Sequence, residues 1–148
     1  MDEAEKRIKE IEERIKKDEE GLNSLREEAG VSEDSECIFC KIVRGEVPAD
    51  KIYESKNFLA FLDNNPKASG HTLIVPKQHY KDILDIPNSL ASEMLDDIKK
   101  IGLNLINEGK GDGFNVAVNV GESSGQVVEH AHIHVIPRKQ GDGLKAIA

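Results

Sequence analysis

Residues 130–138 read HAHIHVIPR, and this stretch decides how the rest of the chain is interpreted. Three of the five histidines in the chain stand here, each separated from the next by one apolar residue. A period of two is typical of a β-strand, in which successive side chains point to opposite faces. The pattern therefore predicts a strand that buries Ala131, Ile133 and Val135 on one face and presents all three imidazoles on the other.

Three imidazoles on one face indicate chemistry, because a merely solvated surface seldom selects histidine three times. Alternate histidines on a strand can share one metal ion, whose open coordination position then activates water. A neutral imidazole is also a competent nucleophile near pH 7, and its neighbours can donate hydrogen bonds to a substrate. The spacing alone does not distinguish the metal-ligand interpretation from the catalytic one.

The composition limits the classes of protein to which the chain can belong. With 148 residues and a formal charge of −8, it is long enough for one well-packed domain and lacks the basic surface that nucleic-acid polymers or anionic membranes require. No apolar run approaches the roughly 18 residues of a membrane span, and the first residues are charged rather than signal-like. We therefore expect a cytoplasmic protein.

Residues 1–30 differ in composition from the remainder of the chain. Apolar or small side chains recur there at heptad spacing among Glu, Lys and Arg, which predicts an amphipathic helix. Two interpretations stay open: a helix that lies on its own domain or extends into solvent, and one strand of a dimerising coiled coil. Residues 31–36 are predicted to form a linker, and the second domain is assigned to residues 36–148.

The second domain is predicted to be α+β, with a largely antiparallel sheet. Residues 37–55, 57–63 and 71–79 contain β-forming segments separated by Gly, Pro and Asn turns. Residues 89–108 carry apolar positions on one helical face, with Asn88 as a candidate N-cap and Gly109 and Gly111 as candidate terminators. Residues 114–120 alternate as a half-buried strand, and residues 126–138 are predicted to form one long final strand. Strands joined by short turns and separate from the helices are typical of this class.

Both cysteines of the chain fall in one Cys-x-x-Cys unit, formed by Cys37 and Cys40. In a reducing compartment this spacing indicates metal binding or redox chemistry more than a structural disulfide. A thioredoxin-like redox pair would open a helix within a βαβ unit, and the sequence predicts no such unit.

The three histidines and their neighbours resemble the His-x-His-x-His-apolar-apolar signature of the histidine triad family of nucleotide hydrolases and transferases. Four other segments are similar to segments of that family: CIFCKIVRGEVPA, FLDNNPKASGH, GHTLIVPKQH and NVGESSGQVVEH. The similarity covers about residues 36–140. It implies the family's fold with one main helix, a purine nucleotide such as AMP or an adenylyl conjugate as ligand, and a homodimer.

The resemblance also implies roles for individual residues. The family cleaves at the α-phosphorus through a histidine–nucleotide intermediate, which makes the middle histidine, His132, the nucleophile. His134 is placed to donate to the phosphoryl oxygens, and His71 supports the site by hydrogen bonding. The implied substrate contacts are Asn119, Gly125 and Gln126 for the phosphate, Asp63 and Asn64 for the ribose, and Phe39, Ile42, Val47 and Phe61 for the base. The apolar members of this set are expected equally as ordinary core.

Some members of the family, many of them prokaryotic, bind a structural zinc ion through such a cysteine pair and two histidines. The resemblance places these ligands at Cys37, Cys40, His79 and His130. Two thiolates and two imidazoles form a closed tetrahedral set that suits zinc. We therefore expect a structural zinc ion and no metal requirement for catalysis.

One position of the substrate site departs from the family pattern. A Ser or Thr commonly follows the loop glutamine and helps to protonate the leaving group, whereas Val127 stands here. Its side chain has no proton to donate, which favours leaving groups that need less help. We expect a hydrolase of adenosine 5′-phosphoramidates or related adenylyl conjugates. The alternatives are a diadenosine polyphosphate hydrolase, a non-catalytic nucleotide-binding scaffold, and a zinc-dependent hydrolase that uses the triad as ligands.

Overall fold

The computed structural model describes residues 2–6, 8–13 and 36–144. Residues 3–6 and 8–13 are helical, in agreement with the heptad pattern. The remainder of the predicted N-terminal helix, and all but the last residue of the predicted linker, lie outside the described residues, so both interpretations of that segment stay predictions. Within these ranges, no helix is both long enough and apolar enough to cross a bilayer.

The described part of the domain contains five strands and two α-helices. The strands are β1 (Lys51–Glu54), β2 (Phe58–Leu62), β3 (Thr72–Pro76), β4 (Gly113–Ala117) and β5 (Ile133–Arg138), and the helices are α1 (Ile38–Val43) and α2 (Ala91–Asn107). The strands form one sheet in the order β1-β2-β3-β5-β4, and every neighbouring pair is antiparallel. The prediction of an α+β domain with a largely antiparallel sheet and one main helix is confirmed.

The centre of the sheet is buried on both faces, because alternate residues of its strands belong to two different hydrophobic clusters. One cluster joins the sheet to α2 and includes Phe58, Ala60, Ile74, Ile101, Leu105, Ile133 and Val135. The other joins the opposite face to α1 and includes Cys37, Phe39, Cys40, Ile42, Leu59, Phe61, Leu73 and Val75. His134 is the partner of Leu73 across the β3–β5 ladder, so it lies on the α1 face.

Helix α2 approaches the sheet closely at one glycine. A Cβ built on Gly102 would lie 2.2 Å from Cζ of Phe114 in the neighbouring strand β4. The ring of Phe114 therefore occupies the space that a side chain at position 102 would need. This close packing holds the covering helix against the face of the sheet opposite the histidines.

The prediction of β structure from residue 37 is wrong for the first segment, because Ile38–Val43 form helix α1. Cys37 is the N-cap of this helix, and its Sγ accepts the N–H of Cys40 at 3.4 Å. Burial of Phe39, Cys40 and Ile42 against the sheet outweighs the β propensity of the isoleucine and valine residues. The cysteine pair does open a helix, but one that packs on an antiparallel sheet and not within a βαβ unit.

Three predicted boundaries also differ from the structure. Strand β5 begins at Ile133, so His130 and His132 precede it and only His134 lies within it. Strand β4 ends at Ala117 instead of residue 120. Helix α2 follows a 3₁₀ turn and has no side-chain N-cap, so Asn88 does not cap it, whereas Gly109 follows its last turn with φ +75°, as predicted.

Candidate active site

His132 is held so that only one of its ring nitrogens remains available. The side chain is 6% exposed, and its Nδ1 lies 2.8 Å from the main-chain oxygen of His130. Because a carbonyl oxygen only accepts, Nδ1 carries the proton, and the neutral ring keeps a lone pair on Nε2. The ring of Phe39 packs edge-on against His132 at a centroid distance of 5.2 Å. His132 thus has the fixed orientation and tautomer that a nucleophilic imidazole requires.

His71 and His134 form a directional chain of hydrogen bonds that starts at the main chain of Lys67. The N–H of Lys67 donates to Nδ1 of His71 at 3.0 Å, so the ring proton of His71 is on Nε2. That Nε2 lies 3.0 Å from Nδ1 of His134, which must therefore accept. The proton of the neutral His134 ring is consequently on Nε2.

Burial keeps these two rings neutral at pH 7. It lowers the pKa of His134 to about 4. Burial also lowers the pKa of His71, and the nearby charge of Asp63 opposes this shift. The rings of His132 and His134 are 5.0 Å apart. The site therefore places a ring with a free lone pair beside a neutral ring whose outer nitrogen is a donor.

Asp63 borders this pair of histidines at the surface of the site. Its Oδ2 lies 3.5 Å from Nε2 of His71, and its side chain is 20% exposed. Its Oδ1 accepts the N–H of Asn65 at 2.9 Å, which fixes the turn after β2. Asn64 beside it is exposed to solvent. Both predicted ribose contacts thus stand at the edge of the histidine cluster.

Two cysteines and two histidines form a compact group below the first histidine of the motif. Nδ1 of His130 lies 3.3 Å from Sγ of Cys37 and 3.5 Å from Sγ of Cys40, and Nδ1 of His79 lies 3.3 Å from Sγ of Cys40. All four ligand atoms lie within 4.8 Å of one another. A tetrahedral zinc ion separates sulfur and nitrogen ligands by roughly 3.3–3.8 Å. The geometry of the group therefore fits zinc.

The tautomer of His130 also fits a zinc ligand. Its Nε2 lies 2.9 Å from the main-chain oxygen of Pro76, so this nitrogen carries the proton and Nδ1 presents a lone pair to the cysteines. Burial lowers the pKa of His130 to about 4, which keeps the ring neutral. Cys37 and Cys40 are both buried and form no disulfide. The four residues that the sequence predicts as metal ligands are thus brought together.

A second group of possible ligands, Asp63, His71 and His134, does not suit a metal ion. Their ligand atoms also lie within 4.8 Å of one another. A metal ion there would need the lone pair of His71 Nε2, and the ring proton would then move to Nδ1. That nitrogen already faces the N–H of Lys67, which also donates. The hydrogen-bond directions therefore argue against a catalytic metal ion held by Asp63, His71 and His134.

The predicted phosphate contacts lie in the loop between β4 and β5, and most of their polar groups are bonded within the chain. The N–H of Gly125 donates to Glu122 O at 3.0 Å. The buried side-chain amide of Gln126 makes three hydrogen bonds to the main chain. Nδ2 of Asn119 makes one long contact, 3.5 Å from Gly125 O. Val127 is 88% exposed.

The apolar residues predicted for the base form one cluster beside His132. Phe39, Ile42 and Phe61 are buried there, and Val47 packs against them. The rings of Phe39 and Phe61 are in edge contact at 5.7 Å. Because Phe39 also touches His132, this cluster forms a wall of the site and part of the core at once.

Two residues that orient the site were not predicted from the sequence. Pro76 sets the tautomer of His130 through its carbonyl oxygen, and Lys67 sets that of His71 through its N–H. Both act through main-chain atoms, so their side chains carry no signal. Only the fold of β3 and of the preceding turn brings these atoms to the histidines.

Comparisons with known proteins agree with this geometry. The HIT domain model matches residues 44–141. An adenosine 5′-monophosphoramidase of Saccharomyces cerevisiae is 41% identical over 80% of this chain and 72% of its own. An adenylylsulfatase of Arabidopsis thaliana is 44% identical over 76% of this chain, which spans only 57% of that relative.

A solved structure with bound zinc is also similar to the chain. The Zn-bound histidine triad family protein of Mycobacterium smegmatis superposes with a TM-score of 0.71 at 41% identity, over 74% of this chain and 80% of that one. The domain match, the relatives above 40% identity and the shared fold together assign the chain: it belongs to the histidine triad (HIT) family.

Proposed function

We propose that the protein is a nucleotide hydrolase that cleaves adenylyl conjugates, in particular adenosine 5′-phosphoramidates, at the α-phosphorus. The observation that carries the proposal is that the two neighbouring rings of His132 and His134 differ in protonation at Nε2. Nε2 of His132 has a lone pair, and Nε2 of His134 has a proton. A nucleophile beside a neutral donor is the arrangement that phosphoryl transfer through a covalent intermediate requires. Relatives named adenosine 5′-monophosphoramidase and adenylylsulfatase support the adenylyl group as the part transferred.

The reaction divides into two displacements at phosphorus. Nε2 of His132 attacks, a P–N bond forms, and the leaving group departs with the electrons of its bond to phosphorus and takes up a proton from solvent water. The Nδ1–H of His132 continues to donate to the carbonyl oxygen of His130, which stabilises the positive charge that the ring acquires. Water then attacks the phosphorus, the P–N bond breaks with its electrons returning to Nε2 of His132, the proton of the attacking water passes to solvent, and AMP is released. The donor of His134 stabilises charge on the phosphoryl oxygens in both steps.

The same proposal assigns the substrate's other groups to the residues around the histidines. Asp63 accepts hydrogen bonds from the two ribose hydroxyls, with Asn64 beside it. The apolar cluster of Phe39, Ile42, Val47 and Phe61 contacts the base. Asn119 contributes to the phosphate side through the second N–H of its amide.

We further propose that Cys37, Cys40, His79 and His130 hold a structural zinc ion. The distances and the tautomer of His130 support this ligand set, as does the Zn-bound relative. Zinc bound there would supply a cross-link between α1, the segment after β3 and the start of the histidine motif. Metal analysis of the purified protein tests it: about one zinc per chain is expected, and a Cys40→Ser variant should hold much less.

A homodimer is part of the same proposal. Strand β4 lies at one edge of the sheet, and its Val116 is 45% exposed. Leu95 and Leu103 of α2 are 50% and 59% exposed and stand two turns apart. Apolar residues at an edge strand and on a helix favour association with a second copy. A dimer mass in solution that a Val116→Lys and Leu103→Lys double variant converts to a monomer mass would support this interface.

The activity is tested by turnover of an adenosine 5′-phosphoramidate and by trapping of the intermediate. Denaturation during turnover should yield protein that carries one adenylyl group on His132, as located by mass spectrometry of its peptides. A His132→Gly variant should bind AMP but neither turn over the substrate nor acquire the group. Full activity of this variant would disprove the assignment of the nucleophile, and binding of AMP without turnover by the unaltered protein would favour a scaffold.

Hydrolysis of diadenosine polyphosphates is the second candidate, and the observation that favours it is Val127. This side chain is 88% exposed and carries no hydroxyl, so it offers no proton to an amine leaving group. A nucleoside polyphosphate leaves as a stable anion and needs less protonation. Comparison of kcat/KM for the two substrates, in the unaltered protein and in Val127→Ser, decides between them. The Val127→Ser variant should show a higher kcat/KM for the phosphoramidate and an unchanged kcat/KM for the diadenosine polyphosphate.

A further inference from the structure

Gln126 lies at the end of the 121–126 loop, which the family resemblance places beside the substrate's phosphate. Its side chain is 7% exposed. Oε1 accepts the N–H of Gly121 at 2.8 Å, and Nε2 donates to Lys81 O at 2.7 Å and to Val128 O at 3.0 Å. A main-chain N–H only donates and a carbonyl only accepts, so these three partners determine which amide atom is oxygen and which is nitrogen.

The three bonds use every N–H that the amide has. The two protons of Nε2 point at two carbonyl oxygens, and the oxygen points at an amide inside the loop. A hydrogen bond from this side chain to a phosphoryl oxygen would require one of the buried carbonyls to lose its donor, which is costly. Both N–H groups of the Gln126 amide are therefore already used within the protein.

The bonds of Gln126 close the loop onto itself. Its main-chain N–H donates to Gly121 O at 3.2 Å, while the N–H of Gly121 donates to its side chain. This reciprocal pair joins the two ends of the turn. Gly121 and Gly125 have φ values of +86° and +102°, which residues other than glycine rarely adopt, so the turn depends on both its glycines and this closure.

The bond to Lys81 connects the loop to the segment that also anchors the histidines. Next to Lys81, the oxygen of Tyr80 accepts the N–H of Ala131 at 2.7 Å, immediately before His132. One stretch of main chain, residues 80–81, thus holds the loop through Gln126 and the nucleophile's neighbour through Ala131. The distance between the loop and His132 depends on both bonds.

We infer that Gln126 is a positioning residue that clamps the 121–126 loop to residues 80–81, and that it is not a donor to the substrate's phosphate. The inference rests on the proposed function for the role of the loop, whereas the three hydrogen bonds of the clamp involve only groups of the protein itself. Its loss should displace the loop relative to His132 and impair the alignment of the phosphate. Misplacement by about 1 Å is enough to slow a displacement reaction by about 100-fold.

Two substitutions test the clamp in complementary ways. Gln126→Glu keeps the shape but directs a carboxylate oxygen at the carbonyls of Lys81 and Val128. Gln126→Met has a similar length and removes all three hydrogen bonds without burying a charge. Gln140→Glu makes the same charge change at an exposed turn residue and serves as the control. Thermal unfolding of each variant verifies that the domain remains folded.

The decisive readout is hydrogen exchange of the Gly121 amide, measured without ligand. A clamp predicts that exchange accelerates about tenfold or more in Gln126→Met, which has no acceptor for this N–H, and less in Gln126→Glu, which keeps an acceptor but loses both bonds to the carbonyls; exchange should stay unchanged in Gln140→Glu. Turnover of the phosphoramidate should fall with a rise in KM as well as a fall in kcat. Unchanged Gly121 exchange in both variants, with only kcat reduced, would overturn the inference in favour of a direct donor.

The exchange measurement does not depend on the proposed activity. If the unaltered protein turns over no adenylyl substrate, the proposed function fails while Gly121 exchange still confirms or refutes the clamp. If the unaltered protein is active and the exchange rate of the Gly121 amide is the same in the Gln126 variants, the clamp is refuted while the proposed function stands.

Discussion

The direction of the hydrogen bonds from Lys67 to His134 leads to a quantitative prediction. His71 is 2% exposed and receives the N–H of Lys67 while it donates to His134. A His71→Leu substitution leaves Nδ1 of His134 without its donor, so the ring can move its proton to that nitrogen and lose the donor that faces the substrate. The net worth of one neutral hydrogen bond is about 0.5–1.5 kcal/mol, which corresponds to a fall in kcat of about 2- to 13-fold.

His71→Gln is the matched control for this substitution. Its amide oxygen can accept the N–H of Lys67 and its amide nitrogen can donate to His134, so part of the lost turnover should return. The assay is kcat for a phosphoramidate in all three proteins, with nitrogen-15 NMR of the His134 ring as the structural readout. The unaltered protein should show the proton on Nε2, and the leucine variant a mixture of tautomers. A proton on Nδ1 of His134 in the unaltered protein would refute the assigned direction.

Three further substitutions or treatments have expected outcomes. Gly102→Ala places a Cβ 2.2 Å from the ring of Phe114 and should cost about 1–3 kcal/mol of unfolding free energy, offset by about 1 kcal/mol of helix propensity. Gly113→Ala, where a Cβ meets nothing within 4 Å, should be nearly neutral in the same denaturant titration. Burial raises the pKa of Asp97, whose Oδ2 lies 2.5 Å from Ser55 Oγ, so the stability that its acid form contributes is present below about pH 4 and is lost as pH rises through the raised pKa. Asp97→Asn keeps a donor at every pH and should melt higher than the unaltered protein at pH 8 but not at pH 4; a difference independent of pH would contradict this. Removal of metal by a strong chelator should lower the melting temperature by many degrees yet leave turnover at low temperature, whereas immediate loss of turnover with the fold intact would favour a catalytic metal.

The sequence predicts which residues come together in the site better than it predicts the helices and strands that carry them. The family resemblance predicts roles for His132 and His134 and a ligand set of two cysteines and two histidines, and the structure brings the members of each group close together. Helix α1 was not predicted, because its isoleucine and valine residues favour strands locally. Only contacts with β2 and β3, which are distant in sequence, stabilise it as a helix.

The roles of the polar loop residues also could not be predicted from the sequence. A glutamine before the histidines can contact a phosphate or can form hydrogen bonds within the protein, and the residue type alone does not distinguish these two roles. The position of Lys81 O, 45 residues away in the chain, decides where the amide of Gln126 points. The same holds for Lys67 and Pro76, which act only through the main chain.

The short length of β5 explains why one motif can serve two purposes. Had the strand extended back to residue 126, as the alternation predicts, the main chain of His130 would take part in the ladder. Instead β5 begins at Ile133, and the carbonyl of His130 is left to accept Nδ1–H of His132. The side chain of the same residue turns to the cysteines. His130 therefore joins the cysteine–histidine group to His132 through its own backbone, so we expect a disturbance of the cysteines to reach His132 through this one residue.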